Sequence, residues 1–297
     1  MSERSVRRTQ SIPLQSSASL RVLTGIVLVG VFWTIAWLQL RPVSDHYFFP
    51  LWLGYILTVD GLIGLRTGTS PIERGGWRIA WWFAVSVPVW WIFEAFNRLV
   101  DNWTYHQPTH YSGLEYVLLS SIAFSTVVPA VLTTTELVRS FRLDPLRWLP
   151  RFEPGPSLLV LFHLFGWLMF ALTALWPKYA FPLVWLSLIF LLDPIATALG
   201  LRSLAWHTAR RDWSPHVNIG LATLACGWFW ELWNLYALPK WTYSIPHAGF
   251  LPVFEMPLLG FGGYIPFGFE IYVLYVLARR LTPALRMEPA RVSSHVD

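Results

Sequence analysis

A constellation of polar and aromatic residues occurs twice in this chain. Trp91, Glu94, Asn97, Trp103-Thr104-Tyr105, Pro108 and Glu115 recur about 137 to 140 residues later as Trp228, Glu231, Asn234, Trp241-Thr242-Tyr243, Pro246 and Glu255. Two copies embedded in otherwise apolar sequence limit the chain to folds that can be built from a repeated unit. The match extends upstream: Pro50, Trp52, Leu53, Ile56 and Asp60 align with Pro182, Trp185, Leu186, Ile189 and Asp193, and Trp77 aligns with Trp213.

The sequence between these positions is 55% hydrophobic and 13% charged, with apolar runs of membrane length. An integral membrane protein is therefore expected. Spans fall at about 22 to 40, 47 to 64, 79 to 98, 115 to 138, 157 to 176, 181 to 200, 217 to 237 and 256 to 278. Each is close to the ~20 residues a helix needs to cross the bilayer core. The third and fourth carry Pro88 and Pro129, and the eighth carries Pro257 and Pro266. The expected fold is all-α and polytopic, with eight transmembrane helices arranged as two parallel four-helix repeats. A tail at 1–21, repeat one at 22–140, a linker at 141–156, repeat two at 157–280 and a tail at 281–297 divide the chain. An even number of helices per repeat gives both halves the same orientation, with a pseudo-two-fold axis along the membrane normal.

Basic residues set the sidedness. With the N-terminus in the cytoplasm, eighteen of the 22 Lys and Arg fall on cytoplasmic segments, leaving Arg41, Arg98, Lys178 and Lys240 outside. This bias predicts that both termini are cytoplasmic, in a bacterial inner membrane. It also accounts for the net charge of +5 without a nucleic-acid partner, since basic loops meet anionic headgroups. The Arg-rich N-terminus precedes a stretch of about nineteen apolar residues with no small-residue cleavage site, which reads as a retained first helix. The single cysteine, Cys226, excludes an intramolecular disulfide and any multi-cysteine metal site.

Chemistry concentrates at the outer ends of the third and seventh helices. Trp91, Glu94 and Asn97 step by three along one stripe, as do Trp228, Glu231 and Asn234. The following loop supplies Trp-Thr-Tyr, and Glu115 or Glu255 opens the next helix. Intramembrane carboxylates cost ~2.5 to 3.5 kcal/mol on insertion scales and usually face a polar interior, which singles out the glutamates. Asp60 and Asp193, together with Glu136, lie toward the cytoplasmic ends of their helices and Glu270 in the inner half of the last span; all are expected to pair with Arg or to cap carbonyls between helices, with a second site near the inner leaflet as the alternative. His106 and His110 lack a partner set in the second copy beyond His247, so no metal is expected. The first loop is the more polar, with Arg98, Asp101, His106 and His110 against Leu235, Pro239 and His247. No Walker loop, dinucleotide fingerprint, paired-aspartate diphosphate motif or nucleophile elbow is present, and no cofactor is expected.

The order Trp-x-Tyr, a glycine-bearing spacer, then Glu at the start of an apolar helix with a later Pro and Glu runs from Trp103 to Glu136 and again from Trp241 to Glu270. It resembles the integral-membrane carotenoid cyclases and the related carotenoid hydratases, in which two homologous helical halves combine. The resemblance implies a cofactor-independent enzyme that protonates a carbon–carbon double bond of an isoprenoid or polyene lipid. On that basis Glu115 and Glu255 are the expected acids, each kept neutral by an apolar environment, with Glu94 and Glu231 beside them as further catalytic carboxylates. Asn97, Trp103, Tyr105, Asn234, Trp241 and Tyr243 are the expected substrate-binding residues, the aromatic faces stabilising a carbocation. A transporter using the repeated glutamates as proton or cation sites is the alternative from another class. A noncatalytic membrane scaffold is the third. The oligomeric state is open.

Overall fold

Glycine decides how closely the first two helices approach. In the computed structural model, which describes residues 12–143, 148–247, 249–282 and Leu285, α1 (Ile12–Trp37) packs along α2 (Phe48–Thr67). A Cβ on Gly25 would stand 2.5 Å from the Gly54 carbonyl oxygen, and one on Gly54 would stand 2.8 Å from Leu28 Cβ. Small residues admit such backbone contact between apolar helices, where dispersion rather than water release holds them together. The same device recurs where α7 (Pro156–Leu175) meets α9 (Val184–Ala198): a Cβ on Gly166 would lie 2.6 Å from the Leu191 amide nitrogen.

The remaining elements follow in order. After α2 come the short α3 (Pro71–Gly75), the long α4 (Ala80–Val100), a strand β1 (Trp103–His106), then α5 (Gly113–Phe124) and α6 (Val127–Arg139). A single turn α8 (Pro177–Ala180) separates α7 from α9. It is followed by α10 (Leu204–Thr208), α11 (Ser214–Asn234), β2 (Lys240–Tyr243), β3 (Pro252–Val253), β4 (Met256–Pro257), α12 (Leu258–Phe261) and α13 (Tyr264–Leu281). Among the described residues seven helical stretches are long and apolar enough to cross a membrane, as an integral membrane protein requires. The remaining one of the eight expected spans, the seventh at 217 to 237, is α11, which is equally long but less apolar. It carries Asn218, Glu231 and Asn234 on a buried face, and a helix shielded by its neighbours need not match lipid. The outermost basic residues of the sequence reading, among them Arg4, Arg7, Arg8, Arg147, Arg286 and Arg291, lie outside the described residues.

Contacts between helices correspond across the two halves. α1 packs on α2 as α7 packs on α9; α2 meets α6 as α9 meets α13; α4 meets α6 as α11 meets α13. Between halves, α6 touches α11 and α4 touches α13.

Two local details repeat with the same spacing. Asp60 is fully buried and accepts the Ile72 amide (2.9 Å) at the start of α3, where Ser70 is the N-cap. Asp193 accepts the Leu204 and Ala205 amides (2.7 and 3.0 Å) at the start of α10, where Ser203 is the N-cap. Both aspartates thus fix the short helices that follow α2 and α9, satisfying amides that a helix start leaves unpaired. Asp60 also pairs with Arg21 (2.9 Å), which reaches Glu73, and Arg74 grips both oxygens of Glu136 (2.6 and 2.7 Å). Glu270 has no Arg partner among the described residues; its Oε1 accepts the Leu188 amide (3.3 Å) from α9.

The second detail is a break. The expected fourth span divides into α5 and α6, and Pro129 becomes the third residue of α6, a first-turn position where its missing amide is harmless. Ser86 of α4 bridges the gap: its hydroxyl donates to the Phe124 carbonyl (2.5 Å) and accepts the Val128 amide (3.0 Å). Pro266 occupies the same third position in α13 after α12, whereas Pro257 lies in β4 and not within a span.

A departure from the all-helical expectation lies beyond the C-terminal ends of α4 and α11. The two Trp-Thr-Tyr segments are strands that pair antiparallel with each other, Trp103 opposite Tyr243, Thr104 opposite Thr242 and Tyr105 opposite Trp241. The register is symmetric about the two threonines. Aromatic and β-branched residues favour this extended backbone, and each copy is the other's hydrogen-bonding partner.

The glycine contacts give a direct prediction. Gly54→Leu forces α1 and α2 apart and is expected to destabilise the protein by about 1–3 kcal/mol, read as a lower thermal midpoint in detergent; Gly30→Leu, where a Cβ meets open space, leaves the midpoint unchanged.

Candidate functional site

Each strand is seated by the asparagine of its own copy. Asn97, in the last turn of α4, donates Nδ2 to the Trp103 carbonyl (2.7 Å) and accepts the Asn102 and Trp103 amides at Oδ1 (2.9 and 3.2 Å). Asn234, at the end of α11, donates Nδ2 to the Trp241 carbonyl (2.7 Å) and accepts the Trp241 amide (2.8 Å). A carboxamide offers one donor group and one acceptor side by side, so it can pair with a residue's C=O and N–H as a neighbouring strand would. That explains why both copies carry Asn three residues beyond the Glu.

Side chains alternate along a strand and directly paired residues share a face. Trp103, Tyr105, Trp241 and Tyr243 therefore lie together on the inner face of the ladder, and Thr104 and Thr242 on the outer. The outer face adds His106, whose Nε2 is 2.7 Å from Thr242 Oγ1.

Behind the inner aromatics stand the glutamates. Glu94 Oε1 accepts three donors: Trp90 Nε1 (2.8 Å), Trp103 Nε1 (3.2 Å) and the Tyr105 hydroxyl (2.7 Å). Glu231 is fully buried, and its Oε1 accepts the hydroxyls of Tyr243 and Tyr264, both at 2.7 Å. Trp241 Nε1 in turn donates to the Tyr243 oxygen (2.8 Å). Glu231 Oε2 is buried with no partner among the described residues. Burial, and next the adjacent carboxylate, push the phenols of Tyr105 and Tyr243 well above their ordinary range, so both keep their protons and act as donors.

Under the ladder lies a cavity of about 1210 Å³. All four inner aromatics line it, with Trp90, Trp185, Trp230, Tyr264 and Phe267 from the surrounding helices. Its volume exceeds the ~300–1,000 Å³ common for pockets that hold drug-sized ligands, and its wall is mainly apolar and rich in aromatic residues. Trp185 leans over Trp103, ring centroids 6.1 Å apart and planes 30° from parallel, so both halves of the chain contribute to one wall.

Eight of the ten candidate residues thus meet at the ladder: Glu94, Asn97, Trp103, Tyr105, Glu231, Asn234, Trp241 and Tyr243. Glu115 and Glu255 do not join them. Glu115 is exposed and forms a capping box with Ser112 at the start of α5, accepting the Ser112 amide at 2.8 Å. The shielding expected of an acid held neutral is missing there. Glu255 forms an ion pair with Lys240, whose Nζ also donates to the Leu235 carbonyl (3.0 Å), and so ties its loop to β2. Neither glutamate lines the cavity.

Trp91 and Trp228, the first residues of the repeated stripe, also turn elsewhere. Steps of three on a helix of 3.6 residues per turn drift by about 60° each, so a residue six positions back faces a different neighbour. Trp91 donates to Ser121 (3.0 Å) on α5, and Trp228 packs on Phe254. Conversely Trp90 and Tyr264, both glutamate donors, are missing from the sequence reading. Trp90 stands at i−4 from Glu94, a spacing that places it on the same face. Tyr264 has no such signal, because the aligned position in the first copy is Val127.

The asparagine seats are testable apart from any activity. Asn97→Ala or Asn234→Ala leaves buried strand groups unpaired and is expected to lower stability by about 1–3 kcal/mol each, whereas Glu115→Gln keeps the thermal midpoint and any ligand binding of the wild type. An unchanged midpoint for Asn234→Ala would refute the seating role. Set against known proteins, the chain matches no family model, no curated sequence and no solved structure.

Proposed function

We propose that this chain is a cofactor-independent membrane enzyme acting on an isoprenoid or polyene lipid, in the manner of the carotenoid cyclases and hydratases it resembles. In this reading α1, α2, α4 and α5–α6 form one four-helix repeat and α7, α9, α11 and α12–α13 a second, parallel to the first. The pseudo-two-fold axis passes through the ladder along the membrane normal, and both termini lie on the cytoplasmic side of a bacterial inner membrane. The correspondence of helix contacts and the symmetric strand register support this layout. One observation carries the functional reading: a large aromatic cavity roofed by both copies, with a carboxylate of each copy hydrogen-bonded directly behind its lining.

The two carboxylates have different surroundings, which suits different roles. Glu231, with an unpartnered oxygen and two tyrosine hydroxyls, is the proton source. Protonated on Oε1, it donates to Tyr243 or Tyr264 in reversal of that hydrogen bond, and the hydroxyl takes the carboxyl proton as it gives its own to a carbon of the substrate double bond. Glu94, which accepts three donors on one oxygen, stands behind Tyr105 and Trp103, whose rings face the resulting carbocation. Aromatic faces add ~0.5 to 2 kcal/mol each to that cation's stability. Loss of a proton from the adjacent carbon back through the tyrosine to Glu231 completes a cyclisation; addition of water followed by the same return completes a hydration.

Transport draws less support. Asp60 and Asp193, which would continue an ion path toward the cytoplasm, are engaged by helix-start amides and lie apart from the cavity lining.

Expression in cells that accumulate an acyclic carotenoid or related polyene is expected to change the pigment profile. Glu231→Gln is expected to reduce the conversion at least ~10²-fold, the scale of a lost general acid, while Glu115→Gln retains it. An unaltered profile over several substrates, with the protein well expressed, would overturn the enzymatic reading.

A further inference from the structure

The cavity has a polar annexe on one side only. A groove of about 860 Å³ runs along the outer end of α4 and the segment after β1, lined by Glu94, Asn97, Asp101, Gln107 and His110 among others. Trp103, Tyr105, Gln107, Tyr111 and Tyr116 belong to both linings, so groove and cavity share a wall. At the corresponding end of the second copy, Leu235 and Pro239 replace Arg98 and Asp101, and the Lys240–Glu255 ion pair closes the loop. A ligand that fills both spaces has one polar end and one apolar tail.

The groove's charge restricts that polar end. Two carboxylates, Glu94 and Asp101, line it, and neither Lys nor Arg does. Two guanidinium groups flank it from outside the lining: Arg41 donates to Thr109 (2.6 Å) and is held by Asp45 in an ion pair (3.1 Å), and Arg98, exposed beside Asn97, lies close enough to Tyr116 to act on it electrostatically. Lys240, which lines the cavity, is neutralised by Glu255. Phosphate placed directly against two carboxylates, with no cation in the lining to meet it, is repelled. A hydroxyl, which donates to carboxylate and accepts from Gln107 or His110, fits.

We infer that the occupant is an amphipathic isoprenoid with a hydroxyl head, seated in the groove against Glu94 and Asp101 with its tail in the aromatic cavity. This rests on the proposed isoprenoid function and narrows it: the ligand is a lipid alcohol rather than a hydrocarbon or a diphosphate ester.

Tryptophans in the cavity wall supply the readout. Binding of a C20 isoprenoid alcohol, its diphosphate and the corresponding hydrocarbon is followed by tryptophan fluorescence in nanodiscs. The alcohol is expected to bind at least about tenfold more tightly than either of the others, the worth of a hydrogen bond to a charged group. Asp101→Asn, which keeps the left-handed backbone at φ 51° accessible, is expected to weaken the alcohol alone. Gln107→Lys supplies the missing cation and is expected to strengthen diphosphate binding about fivefold with the hydrocarbon unchanged. Equal affinity for alcohol and hydrocarbon, or a diphosphate that binds as tightly as the alcohol to wild type, would overturn the head-group assignment and leave the isoprenoid reading standing. If none of the three binds, the isoprenoid reading itself falls.

Discussion

The pairing of β1 with β2 is the interaction on which the outer half of the molecule depends. Extended backbone at the margin of an apolar helical assembly needs partners for its amides and carbonyls, because leaving them unpaired away from water costs several kcal/mol per group. Each strand finds one side of its pairing in the other strand and another in an asparagine at the end of its preceding helix. Once seated, the strands fix the four aromatics of the inner face, and these set the roof of the cavity. The glutamates complete the arrangement by accepting the indole and phenol donors that the aromatics bring with them.

Irregular backbone is handled by the same logic deeper in the fold. The gap between α5 and α6 exists without exposed orphan groups because Ser86 bridges its two sides. Aspartates buried near the opposite surface start the short helices α3 and α10. Polar residues in this apolar chain therefore mark places where helices begin, stop or break, and several with the appearance of reactive groups serve the backbone instead.

That distinction explains what was legible in the sequence. Apolar runs located most of the helices to within about four residues, although α1 begins at Ile12, inside the expected tail, and α13 only at Tyr264 against an expected 256; the internal repeat brought together eight of the ten candidate site residues. Glu115 and Glu255 stand apart from the other eight because the repeat aligns them while their surroundings differ: one is exposed and caps the start of α5, the other answers a lysine in its own loop. The strands escaped because a three-residue aromatic segment carries no periodicity of its own, and its partner lies about 138 residues away. Trp90 was readable from its four-residue distance to Glu94. Tyr264 was not, since it reaches Glu231 through packing of α13 on α11 that no local spacing encodes.

The register centred on Thr104 and Thr242 is one that two identical halves would also satisfy, each strand meeting a copy of itself. Joined in a single polypeptide, the halves are released from having to be alike. Tyr264 serves one glutamate and Trp90 the other, and one end of the roof is open to a polar groove while its counterpart is closed by an ion pair. A symmetric assembly of shorter chains has to place the same group at both positions; a tandem chain can assign a different task to each.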